Sequence, residues 1–234
     1  MHRKQIPSIA SVVLATILLA VALLPVHAVS TLVQQNNAEC SSCSSTLSVS
    51  FPNNVASGDV LVVGIVIAGA SFTLNSLTDS LSSSFTQSVR STNVPPPAVY
   101  IFYATLRSSG ADIVTAAFSA AAPAESVYVY EVSGVNTTRV ENATGSGVGT
   151  SIATSLPVAY QAGAFLLGII ATNTFEGNFT AGTGFAPSTD NSGTAVTHAQ
   201  YFIPDNASST SFPATTNSAV NWVEDGIAFN PIET

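Results

Sequence analysis

Val60-Leu61-Val62-Val63-Gly64-Ile65-Val66-Ile67-Ala68 is an unbroken apolar run, and it decides the fold class. The run is too short and too rich in β-branched residues for a stable helix. Its lack of polar alternation predicts a central strand that is buried on both faces. The preceding stretch, Thr46-Leu47-Ser48-Val49-Ser50-Phe51, alternates apolar and hydroxyl side chains, which indicates a strand with one buried face.

Other segments of the chain carry the same strand signal, and clusters of Gly, Pro, Asn and Ser separate them. No segment shows a sustained helical period. Many short strands joined by turns predict an all-β fold, a single antiparallel β-sandwich that is jelly-roll-like. The further strands are expected at residues 72–78, 85–90, 98–106, 112–118, 126–133, 151–156, 164–172, 195–203 and 220–229.

The sequence also contains a faint internal echo. Residues 61–66 (LVVGIV) match residues 165–170 (FLLGII) at an offset of 104 positions. This echo predicts two similar half-units that pack face to face. A recurrent strand pattern without duplication is the alternative explanation.

The N-terminus has the pattern of an export signal. A short basic start (residues 1–4) precedes an apolar stretch (12–24), and Val26 and Ala28 supply the small residues of a cleavage site after position 28. An uncleaved membrane anchor over residues 6–24 is the alternative. Both interpretations predict that the rest of the chain is extracellular or on the cell surface.

Three segments follow from these signals. Residues 1–28 are the predicted signal peptide, residues 29–45 an N-terminal segment with a Cys-x-x-Cys motif, and residues 46–232 the β-sandwich domain. Residues 29–33 (VSTLV) are β-prone. They could add as a strand to a neighbouring copy, or form the first strand of their own sheet.

Positive charge is scarce after the signal. Lys4 is the chain's only lysine, so Arg90, Arg107 and Arg139 stand against all 13 acidic residues. Nucleic acids and anionic membranes need clustered cations, so neither is an expected partner. The missing lysines also exclude Lys–Asn isopeptide cross-links and Schiff-base chemistry. The expected partners are other surface-protein subunits or the chain itself, with glycans as a further class.

Four short motifs give the chain a family resemblance. They are 56–62 (ASGDVLV), 76–80 (SLTDS), 99–104 (VYIFYA) and 130–135 (YEVSGV), and a tryptophan strand at 221–223 (NWV) closes the series. The succession resembles a jelly-roll-like sandwich module of secreted bacterial and archaeal surface proteins, whose motifs read GDLLV, TDS, YYA and EYSGV. The resemblance covers about residues 51–231 and implies fold and location, with no assigned activity. Residues 81–84 (LSSS) depart from the Gly-Asn turn usual in that family.

Two kinds of covalent modification are expected. The four sequons begin at Asn136, Asn142, Asn178 and Asn206, each in a segment predicted to be a loop, where an acceptor would be exposed. Chance occurrence in a chain rich in Asn, Ser and Thr is the alternative. Cys40 and Cys43 are the only cysteines, and an oxidising compartment favours a local disulfide between them.

Candidates for catalysis or metal binding are few. A Ser-His-Asp triad would have to use His198, and residues 145–149 (GSGVG) lack the setting of a phosphate loop and are predicted to be a flexible connection. Glu131 and Glu224 could be the paired carboxylates of a glycoside hydrolase. No catalytic residues converge, so we expect no enzyme, no cofactor and no metal. Calcium near residues 190–191 or 224–225 is the one alternative left open, because loops of sandwiches often hold it, although the ligand spacing matches no known loop.

Aromatic residues could instead form a sugar-stacking platform. Tyr128 and Tyr130 share one face of a predicted strand, and Trp222 lies in another. A packed sheet face would have the same pattern. The expected function is therefore an extracellular structural or adhesive module, with a carbohydrate-binding module as the alternative and a jelly-roll glycoside hydrolase as the third.

Overall fold

The computed structural model describes residues 28–40, 44–68, 72–92, 97–121, 124–173, 179–188 and 197–233. The predicted signal peptide therefore lies almost wholly outside the described residues. The strands are β1 (Thr31–Cys40), β2 (Thr46–Ser50), β3 (Val60–Ala68), β4 (Leu74–Asp79), β5 (Thr86–Thr92), β6 (Ala98–Thr105), β7 (Ile113–Phe118), β8 (Ala124–Ser133), β9 (Val135–Ile152), β10 (Val158–Tyr160), β11 (Phe165–Thr172), β12 (Phe179–Ala181), β13 (Ala186–Pro187), β14 (Thr197–Phe202), β15 (Ser208–Thr210) and β16 (Ala214–Pro231).

These strands stack in four layers. The first layer is a three-stranded sheet of order β2-β7-β4, and it packs on a five-stranded sheet of order β1-β8-β3-β6-β5. The other face of the five-stranded sheet packs on a six-stranded sheet of order β12-β16-β11-β14-β13, in which β9 also pairs with β16. The fourth layer is the β10-β15 pair. All pairings between these strands are antiparallel, which confirms the predicted all-β antiparallel sandwich.

Strands β1–β8 and β9–β16 repeat one topology. The order β1-β8-β3-β6-β5 corresponds to β9-β16-β11-β14-β13, and the pair β2-β7 corresponds to β10-β15. We call β1–β8 the first half-unit and β9–β16 the second. Each resembles an eight-stranded jelly roll, except that the fifth strand pairs with the sixth in the larger sheet and does not extend the smaller one. The exception is β12, which pairs with β16 and has no place beside β15.

The sequence echo identifies the equivalent central strands, β3 and β11, but its register differs by one residue. A Cβ added at Gly64 would meet Ile169 across the interface between the half-units, whereas one at Gly168 would meet Gln200 and Phe212 on the opposite face of its sheet. Side-chain direction alternates along a strand. Residues of β3 and β11 that point to equivalent faces are therefore 105 positions apart, as Leu61 and Leu166 are.

Two segments that the sequence pattern left outside the sandwich are strands of it. Thr31–Cys40 pairs with β8 along its length, so the N-terminal segment forms the first strand of its own sheet. Residues 145–149, predicted to be a flexible connection, lie within β9 and pair with β16. Their glycines allow close approach: a Cβ at Gly147 would come within 2.9 Å of the Trp222 ring, and one at Gly145 would collide with the backbone of Ala153.

The close packing of Gly64 gives a stability prediction. A Cβ at this position would lie 2.6 Å from Ile169 Cδ1, so we expect Gly64→Ala to lower the free energy of unfolding by about 1–3 kcal/mol. The added Cβ would also lie 2.7 Å from Ile169 Cγ1, so the matching variant is Ile169→Ala, which removes both atoms and should cost about 2–5 kcal/mol alone. The double variant should lose less than the sum of the two single losses, as measured by urea denaturation. Strictly additive losses would show that the two residues do not meet across the interface.

Candidate functional site

Tyr128 and Tyr130 share a face of β8, as predicted, but that face is interior. The side chains are 2% and 1% exposed and belong to the core between the five-stranded and six-stranded sheets. The Tyr128 hydroxyl shares a hydrogen bond with Thr197 Oγ1 (2.8 Å), and the Tyr130 hydroxyl shares one with Ser188 Oγ (2.7 Å). The second half-unit covers both rings, so the assignment of these tyrosines as a sugar-stacking platform is wrong.

Trp222 is also part of the protein interior. It is 8% exposed and packs with Ile152, Ile170 and Val220, with Phe179 beside them. The strand β9 lies against the indole because Gly147 has no side chain at that point. The predicted stacking role of Trp222 is therefore contradicted as well, because a bound sugar needs an open ring face.

Glu131 connects two of the motifs that carry the family resemblance. Its side chain is fully buried; Oε1 accepts a hydrogen bond from Ala56 N (2.6 Å), and Oε2 accepts one from Gln34 Nε2 (2.6 Å). Burial raises the pKa of the neighbouring Asp59, and the charge of Glu131 and a hydrogen bond to it raise that pKa further. The carboxyl group thus ties β8 to β1 and to the turn before β3, which is a structural role.

The motif at residues 76–80 also has a structural role. Asp112 Oδ1 accepts hydrogen bonds from the backbone N (3.2 Å) and the hydroxyl (2.9 Å) of Ser80, and Asp79 Oδ1 accepts one from Ser83 N (2.6 Å). Within the turn, Ser82 has a φ of 60°, a left-handed conformation that glycine and asparagine adopt more readily. Residues 81–84 therefore still form a turn without the Gly-Asn pair of the similar modules, and Ser82 takes the strained left-handed conformation.

Glu224 and Asp225 are adjacent in β16 and point to opposite faces of the sheet. Glu224 lies beside Gln200 on the face toward the fourth layer, with Gln200 Nε2 3.5 Å from its Oε1. Asp225 faces the first half-unit, where its Oδ2 accepts a hydrogen bond from Ser91 N (3.1 Å). Both side chains are fully buried. Burial raises the pKa of Glu224 well above its ordinary value and raises that of Asp225 to about 7.

These positions bear on the hydrolase and calcium hypotheses. Glu131 lies in the first half-unit and Glu224 in the second, each with its own hydrogen-bond partners, so they do not form a carboxylate pair. The side chains of Glu224 and Asp225 diverge and cannot chelate one ion, and residues 190–191 lie outside the described residues. Among the described residues, no group of three or more His, Cys, Asp and Glu side chains could hold a metal ion.

His198, the one candidate for a triad, is a core residue. It is 7% exposed, and its imidazole lies flat on the ring of Phe179, with centroids 4.2 Å apart and planes 6° apart. The neighbouring Gln200 side chain accepts a hydrogen bond from Gly182 N (3.0 Å) and donates to the carbonyl oxygens of Phe212 (3.2 Å) and Pro213 (3.3 Å). The Phe179 ring and backbone groups of the same chain therefore occupy the space around His198 and Gln200.

The predicted modification sites have different settings. Asn206 is exposed in the loop between β14 and β15, as expected for a glycan acceptor. Asn142 is exposed but lies in β9, and Asn136 also lies in β9, where its Oδ1 accepts hydrogen bonds from the N (2.8 Å) and hydroxyl (2.7 Å) of Thr138. The loop prediction for these two is wrong, because β16 pairs with the segment. Asn178 lies outside the described residues. Cys40 is disulfide-bonded at the end of β1, and Cys43 lies outside the described residues.

One open site escaped the sequence interpretation. A groove of about 280 Å³ lies between β4, the edge of the three-stranded sheet, and the strands β5 and β6. Tyr100 and Phe102 form its floor, with ring centroids 6.3 Å apart and planes 13° apart. The guanidinium of Arg90 lies over the Tyr100 ring at 5.1 Å from its centroid. Asn75, Ser76 and Gln87 border the groove with polar groups.

The fold explains why the groove is open. Because β5 pairs with β6, the first layer has three strands and the sheet beneath it has five. The outward face of β6 is therefore not covered beyond β4. No sequence signal distinguishes Phe102 from the other aromatic residues of predicted strands. This part of the sheet is exposed only because β5 pairs with β6 and does not extend the three-stranded sheet.

The fold and these sites define an all-β protein built from two jelly-roll half-units. No family model matches the chain, and comparisons with curated proteins and with solved structures found no match either. In the part of the chain that the structure describes, no helix has the length and apolar character needed to cross a membrane.

Proposed function

We propose that the chain is an extracellular structural or adhesive module of the cell surface that catalyses no reaction. The observation that carries the proposal is the fusion of two jelly-roll half-units through one core. Residues of both large sheets contribute to this core, including Val62 and Tyr130 from one half-unit and Phe165, Ile169 and Phe229 from the other. A body without a flexible joint between its units suits a subunit that must transmit force or keep a fixed spacing.

The surface chemistry supports the same proposal. Asn142 and Asn206 are exposed sequon residues on the second half-unit, where glycans would shield a surface that has few charges. The export pattern that ends at Ala28 supports an extracellular location, and the lysine-free region after it leaves little attraction for nucleic acid. The expected partners remain other surface subunits or further copies of the chain.

Self-assembly by donation of the N-terminal strand is not part of the proposal. The β1 strand already pairs with β8 from Thr31 to Cys40, so it occupies its own sheet. Contacts between copies would use other surfaces. The outer side of β9 is partly closed by its own chain, since Ser155 N donates a hydrogen bond to Thr144 O (2.7 Å).

The test is electron microscopy of the native protein after it has been sheared from the surface of its host. We expect ordered filaments or lattices whose repeat accommodates the two-unit body, together with recovery of the protein in the surface fraction. Dispersed particles confined to the intracellular fraction would refute the proposal. In a control preparation from cells treated with an external protease, the protein should disappear from the surface fraction if it is on the surface.

The carbohydrate-binding alternative keeps one observation in its favour, with a different site from the one expected. The buried Tyr128, Tyr130 and Trp222 cannot stack on a sugar. The groove presents the partly exposed ring of Phe102 at an open edge of the sheet instead, whereas Tyr100 is buried beneath Arg90. Such a groove would give an adhesive module its contact site.

A further inference from the structure

The groove between β4 and β5 combines aromatic and polar groups in one small space. Phe102 supplies a partly exposed ring whose plane is nearly parallel to that of the buried Tyr100, while Arg90, Gln87 and Asn75 supply guanidinium and amide groups around it. Arg90 is one of only five basic residues in the chain. Planar apolar faces flanked by hydrogen-bonding groups complement a ligand that has an apolar face and a polar edge.

Both strands that border the groove carry a β-bulge where they line it. The register of β4 against β7 shifts between Leu74 and Ser76, and the register of β5 against β6 shifts between Gln87 and Val89. A bulge bends its strand, redirects a side chain and is over-represented next to functional sites. The two bulges are therefore a second observation, independent of the aromatic floor, that marks this edge.

The second half-unit shows what fills the corresponding place. By strand register, Tyr100 and Phe102 correspond to His198 and Gln200, because their partners in the central strands are equivalent. There, the Phe179 ring lies flat on His198, and backbone groups of Gly182 and Phe212 hydrogen-bond with Gln200. The second half-unit thus fills both places with groups of its own chain. In the first half-unit Arg90 covers Tyr100, and only the place at Phe102, which corresponds to Gln200, is left partly open.

We propose that the groove between β4 and β5 binds a neutral saccharide, with one sugar ring on Phe102 and its hydroxyls hydrogen-bonded by Arg90, Gln87 and Asn75. A pyranose ring has an apolar face and a rim of hydroxyls, which match the ring of Phe102 and the polar groups that border the groove. The cavity of about 280 Å³ is at the small end of ligand pockets, which limits the contact to one or two sugar rings. The formal net charge of −8 opposes an acidic glycan at long range, which favours a neutral one.

This inference rests on the proposed contact function and names its ligand class. The test is binding of the full chain after signal removal to neutral gluco-, manno- and galacto-oligosaccharides, with an oligogalacturonate as the acidic comparison. Isothermal titration calorimetry would measure each affinity. We expect weak binding of at least one neutral probe, and no binding of the acidic one.

Two variants locate the site. Phe102→Leu keeps an apolar side chain but removes the flat ring, and Asn75→Ala removes an exposed amide. Each should weaken binding about fivefold or more. Asn75→Ala should leave the melting temperature unchanged, whereas Phe102→Leu should lower it slightly, because this ring also packs against the core. Tyr160→Ala is the control, because it removes a partly buried ring of the second half-unit that packs on Phe202 away from the groove.

The outcomes separate this proposal from the proposed function. Absence of binding to every neutral probe, unchanged binding by Phe102→Leu, or binding of the acidic probe alone would overturn the saccharide assignment. None of these results would affect a lattice seen by electron microscopy. Conversely, an intracellular location would refute the surface function but leave a measured saccharide affinity in place.

Discussion

Replacement of Tyr128 and Tyr130 together by alanine is expected to leave the protein largely unfolded. Each ring is buried between the two half-units, and each hydroxyl shares a hydrogen bond with a residue of the second half-unit. Loss of one large buried aromatic side chain costs about 3–5 kcal/mol. Two such losses approach the whole stability of an ordinary domain, about 5–15 kcal/mol.

Circular dichroism and urea denaturation would measure this effect, with single variants to grade it. Tyr130→Phe keeps the ring and loses only the hydrogen bond to Ser188, so its cost should be about 1 kcal/mol. The double variant with a melting curve like that of the native protein would contradict the burial of these rings. Loss of saccharide binding in that variant would say nothing about stacking, because unfolding alone would abolish it.

The sequence pattern is most informative where local preference and tertiary setting agree. The predicted strand at residues 60–68 has the same bounds as β3, because a β-branched apolar run has no favourable alternative to a sheet that is covered on both faces. The period-two pattern also predicts correctly that Tyr128 and Tyr130 share a face. The pattern cannot say whether solvent or another sheet lies on that face.

The errors arise where long-range pairing overrides local composition. Residues 135–152 contain glycines and two sequons, which are typical of a loop, yet they form β9 because β16 provides a partner for almost the whole length. In the same way, the open groove at Phe102 results from the pairing of β5 with β6, a choice made between segments that are distant in sequence. The pairing of strands, which periodicity does not encode, determines which aromatic residues are accessible.

Asp225 is the buried acid with the clearest effect on stability. Its side chain is fully buried between the half-units, Oδ2 accepts a hydrogen bond from Ser91 N, and Oδ1 has no hydrogen-bond partner among the described residues. Burial raises its pKa from the ordinary 3.8 to about 7, although the hydrogen bonds from Ser91 lower it in part. The folded protein therefore holds a proton that the unfolded chain releases near pH 4.

The sign of the pH dependence follows from this difference. Below pH 4 the carboxyl group is protonated in both states and costs nothing; between pH 4 and 7 only the unfolded chain ionises, so stability falls as pH rises. Above pH 7 the penalty is constant, at about 4 kcal/mol for a pKa difference of about three units. Asp225→Asn keeps an oxygen that can accept the hydrogen bond from Ser91 and cannot ionise, so it should abolish this penalty.

We therefore expect Asp225→Asn to raise the free energy of unfolding by about 2–4 kcal/mol at pH 8 and to change it little at pH 4, as measured by urea denaturation. Burial raises the pKa of Glu224 in both proteins, and the Asp225 charge raises it further in the native protein only, so the loss of that charge adds to the stabilisation of the variant at pH 8. Asp205→Asn, in an exposed loop, is the matched control and should leave the free energy of unfolding unchanged. An Asp225→Asn variant that is less stable than the native protein at pH 8 would show that the folded state stabilises the ionised carboxylate. In that case the space between the half-units would have to contain a compensating positive charge, and desolvation would not be the dominant influence on this group.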